Sequence, residues 1–127
     1  MRILLTALIF VGGLFYLVTG LGFLVDPVNS GTTFGLKAAG PDGLSTMRAD
    51  MTAFFVIGAV CMLFGAWRRN GDVLLVPAGL FGIALLGRIV SVAADGTEPG
   101  FWLPMAVEAV TVIVLLVASR VLPHPAT

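Results

Sequence analysis

Hydrophobic residues fall into four long runs along the chain, and most of the prolines and charges lie outside these runs. The runs cover about residues 3–25, 47–67, 73–94 and 101–122. Each has close to the ~20 residues that an α-helix needs to cross a ~30 Å hydrocarbon core. The runs are too long for membrane strands and lack their two-residue alternation. The pattern predicts an all-α membrane protein in which residues 1–127 form a single bundle of four transmembrane helices.

Composition supports a lipid environment. The chain is 58% hydrophobic and 11% charged, whereas a soluble domain has about 25% charged residues. Such a chain cannot cover a water-facing surface, so the lipid bilayer is its expected solvent. The formal net charge is zero, and the chain lacks the basic stripe that nucleic-acid binding requires.

The first run also has features of a signal peptide, because a basic residue precedes a long apolar stretch. The stretch is longer than a usual signal-peptide core, and no small-x-small cleavage site precedes Asp26-Pro27. We therefore expect an uncleaved first transmembrane helix.

Basic residues favour one orientation of the bundle. One side collects Arg2, Arg68, Arg69 and Arg120, with His124 beyond. The other side carries one lysine among several acidic residues. The positive-inside rule then places both termini in the cytoplasm, an N-in/C-in topology. Segment 26–44 is rich in glycine, which predicts a mostly flexible external loop, with Ser45 as the N-cap of the second helix.

Two charged residues lie well inside the last two runs, away from their ends. Arg88 is seven residues before Asp95, and Glu108 is seven residues after Phe101. At 1.5 Å per residue, each lies about 10 Å below the same external turn. Helices joined by a short turn are antiparallel neighbours, so the matching depths predict an ion pair between Arg88 and Glu108.

Three further charged residues lie in the same external half: Arg48, Asp50 and Asp95. Together with Arg88 and Glu108 they form a predicted polar cluster that opens to one side of the membrane. Apart from Arg120 at the end of the last run, the cytoplasmic half of the runs has no charged residue. A channel or a proton-coupled carrier needs a polar route across the whole membrane, so both are disfavoured.

Three interpretations of this cluster stay open. It is a salt-bridge network that fixes the helix register, or a pocket for a small amphiphilic ligand, or a catalytic site. In the catalytic interpretation, Glu108 or Asp50 acts as an acid/base on an isoprenoid, quinone or sterol-like substrate, as in an isomerase or a cyclase. Tyr16, in the first run, is expected to pack in the core, with a contact to the polar site as the alternative.

Other chemical signals are missing from the sequence. It contains no G-x-S-x-G elbow, phosphate-binding loop or H-E-x-x-H motif. His124 is the only histidine and lies in a proline-flanked tail, so we expect neither a metal site nor a cofactor. Cys61 has no intramolecular disulfide partner and is expected to be a structural thiol. Glycines spaced along the runs favour close packing of helices within the bundle, with a homo-oligomer as the alternative.

The charged residues also carry a family resemblance. The segment LGRIVSVAADG at 86–96, an arginine early in the second helix (Arg48) and the membrane residue Glu108 resemble a bacterial family of small four-helix inner-membrane proteins known only as a domain of unknown function. Asp50 departs from this pattern, in which a small or apolar residue is expected nearby. The resemblance implies a bacterial cytoplasmic-membrane protein and brings no activity with it.

A weaker likeness links the chain to four-helix proteins of the DoxX type, which are associated with quinol oxidases. It rests on architecture and arginine placement, and it implies a quinone, lipid or isoprenoid ligand near the outer leaflet. We therefore expect a non-enzymatic accessory subunit of other membrane proteins or a small-ligand binder, with the membrane enzyme as the alternative.

Overall fold

The computed structural model describes residues 2–123. This part of the chain contains five α-helices and no strand. The helices are α1 (Arg2–Val25), α2 (Pro27–Thr33), α3 (Pro41–Trp67), α4 (Leu75–Asp95) and α5 (Trp102–Val121). All but α2 are long and apolar enough to cross a membrane. The predicted four-helix membrane fold is confirmed, whereas its orientation stays a prediction and His124 lies outside the described residues.

The long helices form a ring in the order α1, α3, α4, α5. The most extensive contacts join α1 to α3 and α4 to α5, and smaller ones close the ring. Helices α1 and α3 lie close together because Gly13 and Gly20 face α3. A methyl group would lie 2.9 Å from Leu63 at the first position and 2.9 Å from Val56 at the second. These glycines thus serve helix packing within the bundle.

The segment between α1 and α3 is folded against the bundle, so the prediction of a mostly flexible loop over 26–44 is wrong. Helix α2 begins because Asp26 caps it, accepting a hydrogen bond from the Asn29 backbone N–H, and Pro27 occupies its first turn. At the other end of α2, the Phe34 ring lies 5.5 Å from the Phe23 ring and 5.5 Å from the Phe55 ring. Burial of this ring fixes the segment in place.

Helix α3 begins earlier than the hydrophobic run predicts. It starts at Pro41, with Gly40 before it, so Ser45 is not its N-cap. The polar first turns extend the helix beyond the apolar span. Residues Met47–Met51 form a π-helical segment, and regular α-helix resumes at Thr52.

Aromatic side chains fill the core between α1, α3 and α4. The Tyr16 ring lies 4.4 Å from the Phe81 ring and 5.9 Å from the Phe55 ring, and Phe23 stacks on Phe55 at 5.9 Å. Phe23 and Phe81 are almost fully buried. This cluster holds Tyr16 where its hydroxyl faces α5.

Candidate functional site

An ion pair joins α4 to α5 in the half of the bundle where these helices are connected. Gly96 ends α4 with a φ of 84°, and Gly100 before α5 has a φ of 83°, so the chain reverses sharply between them. The two helices are therefore antiparallel neighbours. Arg88 Nε donates to Glu108 Oε1 at 2.7 Å. The ion pair predicted from matching depths is confirmed.

The two partners differ in burial. Glu108 is buried, whereas the Arg88 side chain is 34% exposed. The hydrogen bond uses Nε, and within residues 2–123 neither terminal nitrogen of Arg88 has a hydrogen-bond partner. The Glu108 carboxylate is therefore shielded, whereas the terminal nitrogens of Arg88 remain accessible to another group.

A second polar contact adjoins the pair. Thr111 Oγ1 donates its hydrogen to the Val107 carbonyl oxygen at 2.7 Å. Thr111 Oγ1 also lies 2.7 Å from Tyr16 Oη, and because its own hydrogen is already used, Tyr16 is the donor in this contact. Glu108 and Thr111 are three apart and share a face of α5. Arg88, Glu108, Thr111 and Tyr16 make up what we call the polar strip. Tyr16 thus packs in the aromatic core and also contacts Thr111, so it has both the core position and the polar contact that the sequence left as alternatives.

None of the other three residues of the predicted cluster has a hydrogen bond or an ion pair with a residue of the strip. Arg48 is exposed, and its Nε donates to the Leu24 carbonyl oxygen at 3.2 Å, near the end of α1. Asp95 accepts a hydrogen bond of 3.2 Å from Ser91 on its own helix. Asp50 is exposed and has no hydrogen bond or ion pair with another described residue. The structure brings together only Arg88 and Glu108 of the five.

Two cavities lie elsewhere. One, of about 370 Å³, is lined by α2, the segment 36–40 that follows it and the start of α3. The other, of about 450 Å³, is a groove between the start of α1 and the end of α3. Neither has Arg88 or Glu108 among its lining residues. No group of three or more His, Cys, Asp or Glu side chains in the described chain could hold a metal ion.

One feature of α3 could not be predicted from the sequence. Thr52 Oγ1 is buried without a hydrogen-bond partner, the one such side-chain oxygen or nitrogen in the described part. A helical threonine usually donates to a carbonyl one turn earlier. Here the preceding turn is π-helical, so its carbonyl groups are not spaced as in an α-helix. Single π turns occur often at functional sites, but nothing in the composition of this segment indicates one.

Fold and polar strip together define a class, that of small multi-pass membrane proteins with a four-helix bundle and an intramembrane ion pair. Residues 4–119 match the family model described as Domain of unknown function (DUF4345), and the chain belongs to that family. No curated protein and no solved structure matches the chain. The family match agrees with the first resemblance seen in the sequence, and nothing in it supports the likeness to DoxX-type proteins.

Proposed function

We propose that the protein is a non-enzymatic protein of the bacterial cytoplasmic membrane that binds a small amphiphilic ligand at Arg88. The observation that carries the proposal is the open side of the ion pair. Arg88 contacts Glu108 through Nε alone, and its terminal nitrogens have no partner in residues 2–123. A guanidinium group in lipid without partners for its N–H groups is costly, so a bound acceptor oxygen stabilises it.

The depth of Arg88 selects the chemistry of the ligand. Arg88 lies seven residues before the end of α4, which places it about 10 Å inside the helix end. Lipid phosphates lie outside the hydrocarbon core, whereas the carbonyl groups of a quinone with an isoprenoid tail can enter it. We therefore assign the site to a neutral, carbonyl-bearing ligand with an apolar tail.

The surface beside Arg88 has room for such a ligand. Gly87 is exposed, and no atom lies within 4 Å of the position that its Cβ would take. Ile89, about 100° around the helix from Arg88, is exposed and apolar, so the flank of α4 next to Arg88 offers an apolar surface. An apolar tail can lie along this face of α4 while the carbonyl oxygen accepts hydrogen bonds from Arg88.

The enzyme alternative has less support. General acid–base catalysis on such a substrate requires a proton-transfer group with access to the reacting atom. The carboxylate of Glu108 is buried and bonded to Arg88. Asp50 is exposed and makes no hydrogen bond or ion pair with the strip. We therefore assign Glu108 the role of orienting Arg88.

Native mass spectrometry with two defined probes tests the proposal. A decyl-substituted benzoquinone supplies the carbonyl head, and phosphatidylglycerol supplies the phosphate head. The unmodified protein should bind the quinone, and the double variant Arg88→Met, Glu108→Leu should bind it about tenfold more weakly, since a charge-assisted hydrogen bond is lost. Arg48→Gln, which removes a charge from the same half, is the control and should bind as the unmodified protein does.

Other results would contradict the proposal. Equal quinone binding by the double variant would remove Arg88 from the site. Binding of phosphatidylglycerol alone, with loss in the double variant, would assign the site to a phosphate. A co-purifying protein that the double variant loses, with no quinone bound, would favour the accessory-subunit interpretation instead.

A further inference from the structure

Arg69 has a backbone conformation that favours glycine. Its φ is 51°, and it is the only residue other than glycine with a positive φ in the described chain. The turn that ends α3 requires this conformation, because Asn70 N–H donates to the Gly65 carbonyl oxygen at 2.9 Å while Arg68 N–H donates to that of Phe64 at 2.8 Å. Glycine is the usual residue at this position of a helix C-cap. An arginine here is strained, and such strain is a reason to look for a role of its side chain.

Arg69 lines the groove of about 450 Å³ between α1 and α3. The rest of the groove consists largely of apolar side chains, among them Ile3, Phe10, Val11 and Trp67. The Phe10 and Trp67 rings lie 6.4 Å apart across the two helices. Arg69 makes no hydrogen bond or ion pair with another residue of the described chain. The groove therefore combines a long apolar wall with an unpaired guanidinium group.

The groove is at the basic end of the bundle, which we define as the end where α1 and α4 begin and α3 and α5 end. This end carries Arg2, Arg68, Arg69 and Arg120 and, among the described residues, one acidic residue, Asp72. Trp67 is 76% exposed at the same level, as is typical of aromatic residues at the membrane interface. The positive charge of this end attracts anionic lipid head groups.

We propose that this groove binds an anionic phospholipid of the leaflet at the basic end, with an acyl chain between α1 and α3 and the phosphate on Arg69. Charge complementarity and the apolar wall select this occupant over a zwitterionic lipid or a second copy of the chain. An arginine can donate two hydrogen bonds to one phosphate, which glycine at the same position cannot. The site is separate from the polar strip, and it stands whether or not Arg88 binds a ligand.

Lipid titration followed by native mass spectrometry tests the site. Phosphatidylglycerol and phosphatidylcholine with the same acyl chains are compared on the unmodified protein, on Arg69→Gln and on Arg68→Gln. Both variants lose one charge from the basic end, but Arg68 does not line the groove. We expect Arg69→Gln to weaken phosphatidylglycerol binding about tenfold, because it loses charge-assisted hydrogen bonds, and Arg68→Gln to change it little.

A second variant tests the apolar wall without changing the charge. Ala7 is exposed and lines the groove, so Ala7→Phe fills it and should also remove the bound lipid. Equal loss in both arginine variants would show only general attraction and would overturn the proposal. So would unchanged binding in Arg69→Gln or Ala7→Phe, or equal binding of the two lipids. A dimer that Ala7→Phe disrupts, with no lipid bound, would assign the groove to a second copy. Circular dichroism checks that each variant is folded.

Discussion

Arg88 on α4 and Glu108 on α5 are joined by one hydrogen bond of 2.7 Å, and the carboxylate is the more deeply buried of the two groups. Glu108 depends on Arg88 for its compensating charge, whereas Arg88 keeps terminal nitrogens that can bind another group. The pair therefore both fixes the packing of α4 on α5 and presents hydrogen-bond donors to the lipid.

Removing Arg88 should destabilise the protein more than removing the whole pair. Arg88→Ala leaves the buried Glu108 carboxylate without a compensating charge, at a cost of about 3 kcal/mol, which is the lower end for buried pairs. The double variant Arg88→Met, Glu108→Leu should return to within about 1 kcal/mol of the unmodified protein. Unfolding in mild detergent measures both. A double variant as unstable as Arg88→Ala would contradict this account of the pair.

The contact between Tyr16 and Thr111 predicts unequal effects of two conservative substitutions. Tyr16→Phe removes one hydrogen bond but leaves Thr111 bonded to the Val107 carbonyl oxygen, so it should cost about 1 kcal/mol or less. Thr111→Val leaves the buried Tyr16 hydroxyl without an acceptor and should cost about 1–3 kcal/mol. Thermal unfolding of the two variants checks the order. The reverse order would mean that Tyr16 is not the donor.

The close approach of α1 and α3 predicts that Gly20 does not tolerate a methyl group. Gly20→Ala would place a Cβ 2.9 Å from the Val56 side chain and 3.2 Å from its backbone nitrogen, and overpacking of this kind costs about 1–3 kcal/mol. Gly82→Ala on α4 is the control, because no atom lies within 4 Å of its Cβ position. It should leave stability unchanged or raise it by up to about 1 kcal/mol. Equal effects in an unfolding assay would contradict the packing.

Docking of α2 depends on the Phe34 ring. Phe34→Ala removes its contacts with Phe23 and Phe55 and should cost about 2 kcal/mol, less than for a fully buried ring. Amide hydrogen exchange should then accelerate in Pro27–Thr33 before it changes in the long helices. Val28→Ala, at an exposed position of α2, is the control. Unchanged exchange in α2 would show that Phe34 does not hold it.

Relief of backbone strain at Arg69 should raise stability. A positive φ costs a residue other than glycine roughly 1–2 kcal/mol, and the greater chain entropy of glycine offsets about 0.5–1 kcal/mol of the relief. Arg69→Gly should therefore stabilise the delipidated protein by up to about 1.5 kcal/mol. Unfolding after removal of lipid measures this change. Destabilisation would mean that the Arg69 side chain supports the fold itself.

The sequence was sufficient to predict the spans and the ion pair, because both follow from fixed geometry. Helix rise and a short turn place Arg88 and Glu108 at one depth, and their opposite charges then specify the contact. Segment 26–44 was misinterpreted because its glycines were taken to indicate a flexible loop, although its prolines also allow helices to begin. Asp26-Pro27 and Gly40-Pro41 are equally good helix starts, since proline is favoured in the first turn.

Other parts of the site could not be predicted from one sequence. The π-helical segment before Thr52 and the positive φ of Arg69 depend on how α3 packs and ends, and propensity does not encode either. Which side of α3 Arg48 and Asp50 occupy likewise depends on the rotation of that helix, whereas Asp95 lies nearly on the same face of α4 as Arg88, about 10 Å further along the axis. Depth can be counted along a chain, whereas rotation about the helix axis is set by packing.

The central claim, that the free nitrogens of Arg88 bind a ligand carbonyl, is tested most directly by NMR of the arginine side chains. Protein with ¹⁵N-labelled arginine is titrated in detergent with the decyl benzoquinone, and the double variant Arg88→Met, Glu108→Leu assigns the Arg88 signals. The account predicts that the terminal N–H signals of Arg88 shift and saturate while those of Arg48 stay in place. Terminal N–H signals of Arg88 that do not move, or that move together with those of Arg48, would contradict it.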